Sequence, residues 1–189
     1  MYRSEFEDAA LRTKRFGLDC PDLKFTEEGI LSKDKDNRLP GYIRHVLGEL
    51  TPKELHAQCL GIHLKLQYVV AAFFDCPCYY TIGYVEESER NLFFQTEESL
   101  LRTLKNGVTA NDISLHAWLT LPSMEIMDFS LATTFAVIKG QRDGMGNIIA
   151  AHADKLPGGL KYHPLLIGDD FLYETQGIMQ DSRTQNKSG

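Results

Sequence analysis

Three residues of this 189-residue chain have the types that thiol-based acyl transfer requires, and they stand in a workable order: Cys59, His116 and Asp128. Such chemistry needs a thiolate to attack a carbonyl, a base to take the thiol proton, and a carboxylate that fixes the base's tautomer and supports its charge. An economical construction sets the cysteine on a buried helix facing a sheet, with the other two on adjacent strands. Each residue taken singly has a blander use. A free cysteine on an apolar helix stripe is a small buried hydrophobe, a strand histidine can bond a neighbouring carbonyl, and a strand-end aspartate can cap a turn. Only the ordered set points to catalysis.

The elements that would position these residues can be read from local patterns. Thr51, Pro52 and Glu54 form a helix-start signature, and Leu55, Cys59, Ile62, Leu66, Val69 and Phe73 follow at alternating spacings of four and three. That stripe predicts a central helix packed on a sheet. The signature could start one continuous helix with Cys59 about two turns inside, which would forfeit the helix-terminus field that lowers a thiol's pKa; we expect instead a short helix over 52–57, a break, and a second helix beginning at Cys59. Residues 78–85 are rich in β-branched and aromatic side chains and read as a strand. Ile113, Leu115, Ala117, Leu119 and Leu121 alternate with His116 and Trp118, so a strand here shows the two sets on opposite faces. A turn at Pro122 and Ser123 returns the chain through 124–129, which sets His116 and Asp128 on neighbouring strands.

Around this centre, 5–15 reads as a helix and the charged run 33–38 as a solvated loop. Residues 92–95 read as a short strand, and Thr96 caps a helix ending near Asn106 and Gly107. Short elements are expected over 133–139 and 147–151, a closing strand over 163–167, and a polar, mobile tail over 176–189.

Residues 59–85 with 116–130 resemble the core of the transglutaminase-like superfamily, within the wider papain-like group. In that family a cysteine begins a helix that runs into a Gly-Ile-Pro-Ala-Arg-Val-Val-x-Gly-Tyr strand, followed by His-Ala-Trp and then an aspartate. Residues 75–85 lie on the strand pattern without a gap and match at Pro77, Gly83 and Tyr84; His116, Ala117 and Trp118 match the second motif. Glu125 to Ser130 resembles the third. The resemblance implies an α+β fold with a papain-like or transglutaminase-like core, its central helix packed on a mostly antiparallel sheet. It implies a catalytic domain over 46–175, preceded by a partly helical N-terminal appendage over 1–45. It implies Cys59, His116 and Asp128 as the triad and the Cys59 N–H as oxyanion donor, with the Gln58 side chain a further candidate. Trp118 is the substrate-cleft candidate, though packing beside the site is its plainer use. No cofactor is implied, and the substrate would be a protein, a peptide or a small-molecule amide. Two departures keep a catalytically degenerate, protein-binding module open: the glycine usual before the cysteine is absent from His56-Ala57-Gln58, and Tyr79 replaces the family's arginine.

Composition narrows the rest. With 43% hydrophobic and 24% charged residues the chain can bury a proper core. A formal net charge of −6 argues against a nucleic-acid partner. No apolar run is long enough for a membrane span, and the acidic, polar N-terminal residues do not make a secretory signal. We expect a cytoplasmic protein, with secretion by a route lacking a cleaved signal left open. Cys20, Cys59, Cys76 and Cys78 then read as free thiols in a reducing compartment. A rival use of the same helix is a metal held by His56, Cys59 and His63 at helical spacings, but no fourth ligand stands nearby. The glycine-rich run 140–146 lacks the Gly-Lys-Ser/Thr ending of a phosphate loop.

Overall fold

The computed structural model describes residues 1–49, 51, 59–107 and 114–175. His56, Gln58, Ile113, the helix expected over 52–57 and the tail expected over 176–189 lie outside the described residues. The helices are α1 (Tyr2–Arg15), α2 (Lys33–Leu47), α3 (Cys59–Phe74), α4 (Glu97–Asn106), α5 (Leu131–Ile138) and α6 (Asp170–Glu174). The strands are β1 (Tyr79–Glu87), β2 (Arg90–Leu92), β3 (His116–Thr120), β4 (Glu125–Asp128), β5 (Ile149–His152) and β6 (Lys161–Ile167). Among the described residues, no helix is long and apolar enough to cross a membrane.

The protein is α+β, with every strand pairing antiparallel. The sheet runs β1-β3-β4-β5, with β6 on the other side of β1 and β2 as a hairpin partner of its end. Both sheet faces are covered. Ala117, Leu119 and Met127 pack with Ile62 and Leu66 of α3 and Leu39 and Ile43 of α2. Trp118, Ile126 and Tyr162 pack with Tyr2, Phe6 and Ala9 of α1. The alternation read from the sequence is therefore present, but all five residues of β3 are buried because each face has its own core.

Two local readings change. The charged run expected as a loop is the first half of α2. The Ser32 hydroxyl accepts from the Lys35 N–H at 3.4 Å, and Asp34 and Asp36 occupy the first turn. Leu39 and Ile43, four apart, carry the face that packs on α3. The strand expected over 92–95 stops at Leu92, because Phe93 takes a positive φ of 63° that ends the ladder.

Gly83 shows why the β1 pattern needs a residue without a side chain. It pairs with His116 on one side and Pro164 on the other. A Cβ there would collide with the His163 carbonyl oxygen and with the Trp118 ring. Gly83→Ala should destabilise the fold by on the order of 3 kcal/mol, read as a lower urea midpoint with an unchanged slope; an unaltered midpoint would show that the two strands can part without penalty.

Candidate active site

Asp128 is the last residue of β4, and α5 begins three residues later. Its side chain is fully buried. Oδ1 accepts from the Ser130 N–H at 2.9 Å, the Ser130 hydroxyl at 3.1 Å and the Leu131 N–H at 3.0 Å. It thereby caps the start of α5, the plainer use expected of a strand-end aspartate. Oδ2 faces the other way. It accepts from the Tyr162 hydroxyl at 2.9 Å and from His116 Nε2 at 2.5 Å.

The register explains why His116 reaches it. Leu119 pairs with Met127 and Thr120 with Ile126, and the same register continued sets Trp118 opposite Asp128. His116 is then the diagonal neighbour of Asp128 on one sheet face, a separation that long side chains span. The ring is sandwiched by Phe93, stacked at 5.1 Å between centroids, and Trp118 at 6.0 Å.

Cys59 is the first described residue of α3 and is half-buried. Its thiol donates to the Leu115 carbonyl at 3.6 Å. Its sulfur lies beside the His116 side chain, close enough to favour that ring's charged form. Nε2 of the ring is engaged by Asp128, so Nδ1 is the nitrogen left to face the sulfur. The thiol, the imidazole and the carboxylate thus lie in one line of contacts at the ends of β3 and β4.

The charges follow from this line. Burial opposes a proton on His116, but the Asp128 carboxylate, its hydrogen bond and the Cys59 sulfur outweigh it and hold the imidazole's pKa well above its ordinary value. Burial likewise works against ionised Asp128, yet His116, His63 and the Ser130 N–H keep its carboxyl far below the usual carboxylate range. The site thus favours a carboxylate and, on His116, the imidazolium that a proton drawn from the neighbouring thiol would produce. Burial pushes the thiols of Cys20, Cys76 and Cys78 up, Cys78 furthest.

A second histidine belongs to the cluster. His63, one turn after Cys59, is fully buried. Its Nδ1 lies 2.7 Å from the Cys59 carbonyl, and its Nε2 accepts from the Phe129 N–H at 2.9 Å. A carbonyl can only accept and an N–H only donate, so the neutral Nδ1–H tautomer is specified. Burial pushes its pKa down to about 4, against the pull of Asp128, whose Oδ1 is 3.6 Å away.

No family model, curated protein or solved structure matches this chain. The site therefore stands on its geometry.

The structure brings Cys59, His116 and Asp128 together and gives Trp118 its plainer use, packing beside them. Trp118 has no exposed surface, and its indole N–H donates to the Tyr2 hydroxyl at 2.8 Å. It backs the imidazole from beneath and walls no cleft, because the alternation that points it away from α3 points it into the core under α1. For the rival metal reading, His56 lies outside the described residues, and both ring nitrogens of His63 are used inside the protein. Sequence reasoning missed Tyr162, Phe93 and this role of His63. Of these only His63 carried a signal, its spacing of four from Cys59.

The neutral His63 has a consequence for stability. Its folded pKa lies below the ordinary 6.5, so its contribution is complete above 6.5 and is lost as pH falls through about 4, amounting to about 3 kcal/mol. The contribution of His116 is complete below its ordinary value and lost only as pH rises through the raised one; that of Asp128 is lost only below the carboxylate range. Between these limits the site's pH dependence comes from His63. Urea unfolding across that window should show stability declining toward acid, and His63→Gln should flatten the decline by that amount.

Proposed function

We propose that this protein is a cysteine-dependent acyl-transfer enzyme of the transglutaminase-like type, acting on amide bonds through Cys59, His116 and Asp128. The observation that carries the reading is one imidazole bonded on Nε2 to a buried carboxylate, with a half-buried thiol beside it. A helix that carries the cysteine, set against an antiparallel sheet that supplies histidine and aspartate from adjacent strands, also suits a papain-like core.

In this mechanism His116 takes the Cys59 proton and keeps it as imidazolium, the form that Asp128 stabilises. The sulfur attacks the carbonyl carbon, and the oxygen takes up the negative charge, with the Cys59 N–H as its candidate donor. As the C–N bond breaks, His116 returns the proton to the departing nitrogen, leaving a thioester on Cys59. Water or an amine then attacks the thioester, gives its proton to His116 and frees the thiol. Water gives hydrolysis or deamidation; an amine gives transamidation. The half-buried thiol suits a protein or peptide chain, or a small amide, reaching it from the surface. No cofactor enters any step.

Thiol labelling tests this directly. In the native protein at neutral pH, Cys59 should alkylate at least about tenfold faster than Cys20 or Cys76, with Cys78 slowest, and His116→Ala should abolish the difference. Equal, slow labelling of all four would favour a binding module without catalysis. With the fast thiol in hand, mass spectrometry of candidate proteins for glutamine converted to glutamate separates a deamidase from a protease, and Cys59→Ala should remove either product.

A further inference from the structure

The triad leaves unexplained how Cys59, on a helix, is held in register with a histidine and an aspartate carried by the sheet. The helix and β3 meet through apolar side chains, which fix a distance poorly to the tolerance that proton transfer requires. The geometry points to His63 as the positioning residue of the site: a two-ended strut whose Nδ1–H holds the carbonyl of the nucleophile residue and whose Nε2 holds the amide next to the triad carboxylate. This role rests on the acyl-transfer reading and goes beyond it.

Three features fit a strut rather than a ligand or a second base. The two partners are backbone groups of Cys59 and Phe129, so the strut constrains main chain on both sides of the site. Its Nε2 stands 3.6 Å from Asp128 Oδ1, outside hydrogen-bond range, which leaves that oxygen to the Ser130 and Leu131 N–H groups. The ring is also wedged against Phe129 at 5.7 Å and edge-on to His116 at 6.4 Å, so it has no room to swing out. His63 touches no substrate in this arrangement; it acts through the residues that do.

The test separates hydrogen bonding from mere filling of space. His63→Gln keeps one donor and one acceptor on a flexible side chain, whereas His63→Leu keeps volume and loses both. The pH profile of Cys59 alkylation is measured for wild type and both variants in the intact protein, with melting temperatures recorded alongside and Cys20 labelling as internal reference. His63→Leu should slow Cys59 at neutral pH by about tenfold or more and move its profile onto that of His116→Ala. His63→Gln should return within about threefold of wild type. A folded His63→Leu with the wild-type rate and profile would overturn the strut. So would a His63→Gln as slow as His63→Leu, since packing alone would then matter. Should His63→Leu fail to fold, His63→Phe keeps a planar ring without nitrogens and carries the same comparison. If wild-type Cys59 labels no faster than Cys20, the acyl-transfer reading itself has failed and His63 falls with it; if wild type is fast and the variants match it, only the strut is lost.

Discussion

A carboxylate with no access to solvent is the constraint around which this molecule is arranged. An isolated charge at such a position would be too costly to keep and would protonate instead. Asp128 stays ionised because five donors converge on its two oxygens. Those donors come from three places: the turn that starts α5, the first residue of β3, and β6. The end of β4, the start of α5 and the pairing of β6 with β1 are therefore tied to one another through a single side chain. Removing any one donor leaves the charge short of a partner it cannot replace with water.

The same arrangement leaves one residue able to serve both the structure and the proposed chemistry. Oδ1 is occupied as a helix cap and Oδ2 as an imidazole acceptor, so the plain reading of a strand-end aspartate holds on one atom and leaves the other for the proposed catalytic role. Capping is what orients the second oxygen. A carboxylate free to rotate could not hold His116 in one tautomer. His116 is then held flat between Phe93 and Trp118, and the sheet beneath leaves no room for another side chain, as Gly83 shows.

The site forms where two cores meet. The alternation that sends Ala117 and Leu119 toward α3 sends His116 and Trp118 to the α1 face, and Asp128 follows Ile126 there. Cys59 arrives from the opposite layer. The two sides meet because β3 begins at His116 and β4 ends at Asp128, so sulfur and ring face each other at the strand ends and not across the sheet. In mid-strand the backbone ladder would separate them.

Local spacing in the sequence was enough to determine the alternating strand at His116, the return through Asp128, the helix that carries Cys59 and the order of the three chemical groups. These depend on period and on turn residues, which act over a few positions. It was not enough for α2, whose charged first turn hid a capped helix, nor for the buried face of α3. The apolar stripe leaves His63 at its flank, whereas the fold buries it completely and leaves Phe73 only partly buried against Tyr42. His63 is accepted inside because the Phe129 N–H waits there for an acceptor. Tyr162 lies 34 positions from Asp128 in sequence and reaches it only because β6 pairs with β1. Which polar group meets which buried partner is decided by long-range strand pairing, since a hydrogen bond satisfied across the fold leaves no period in the chain that makes it.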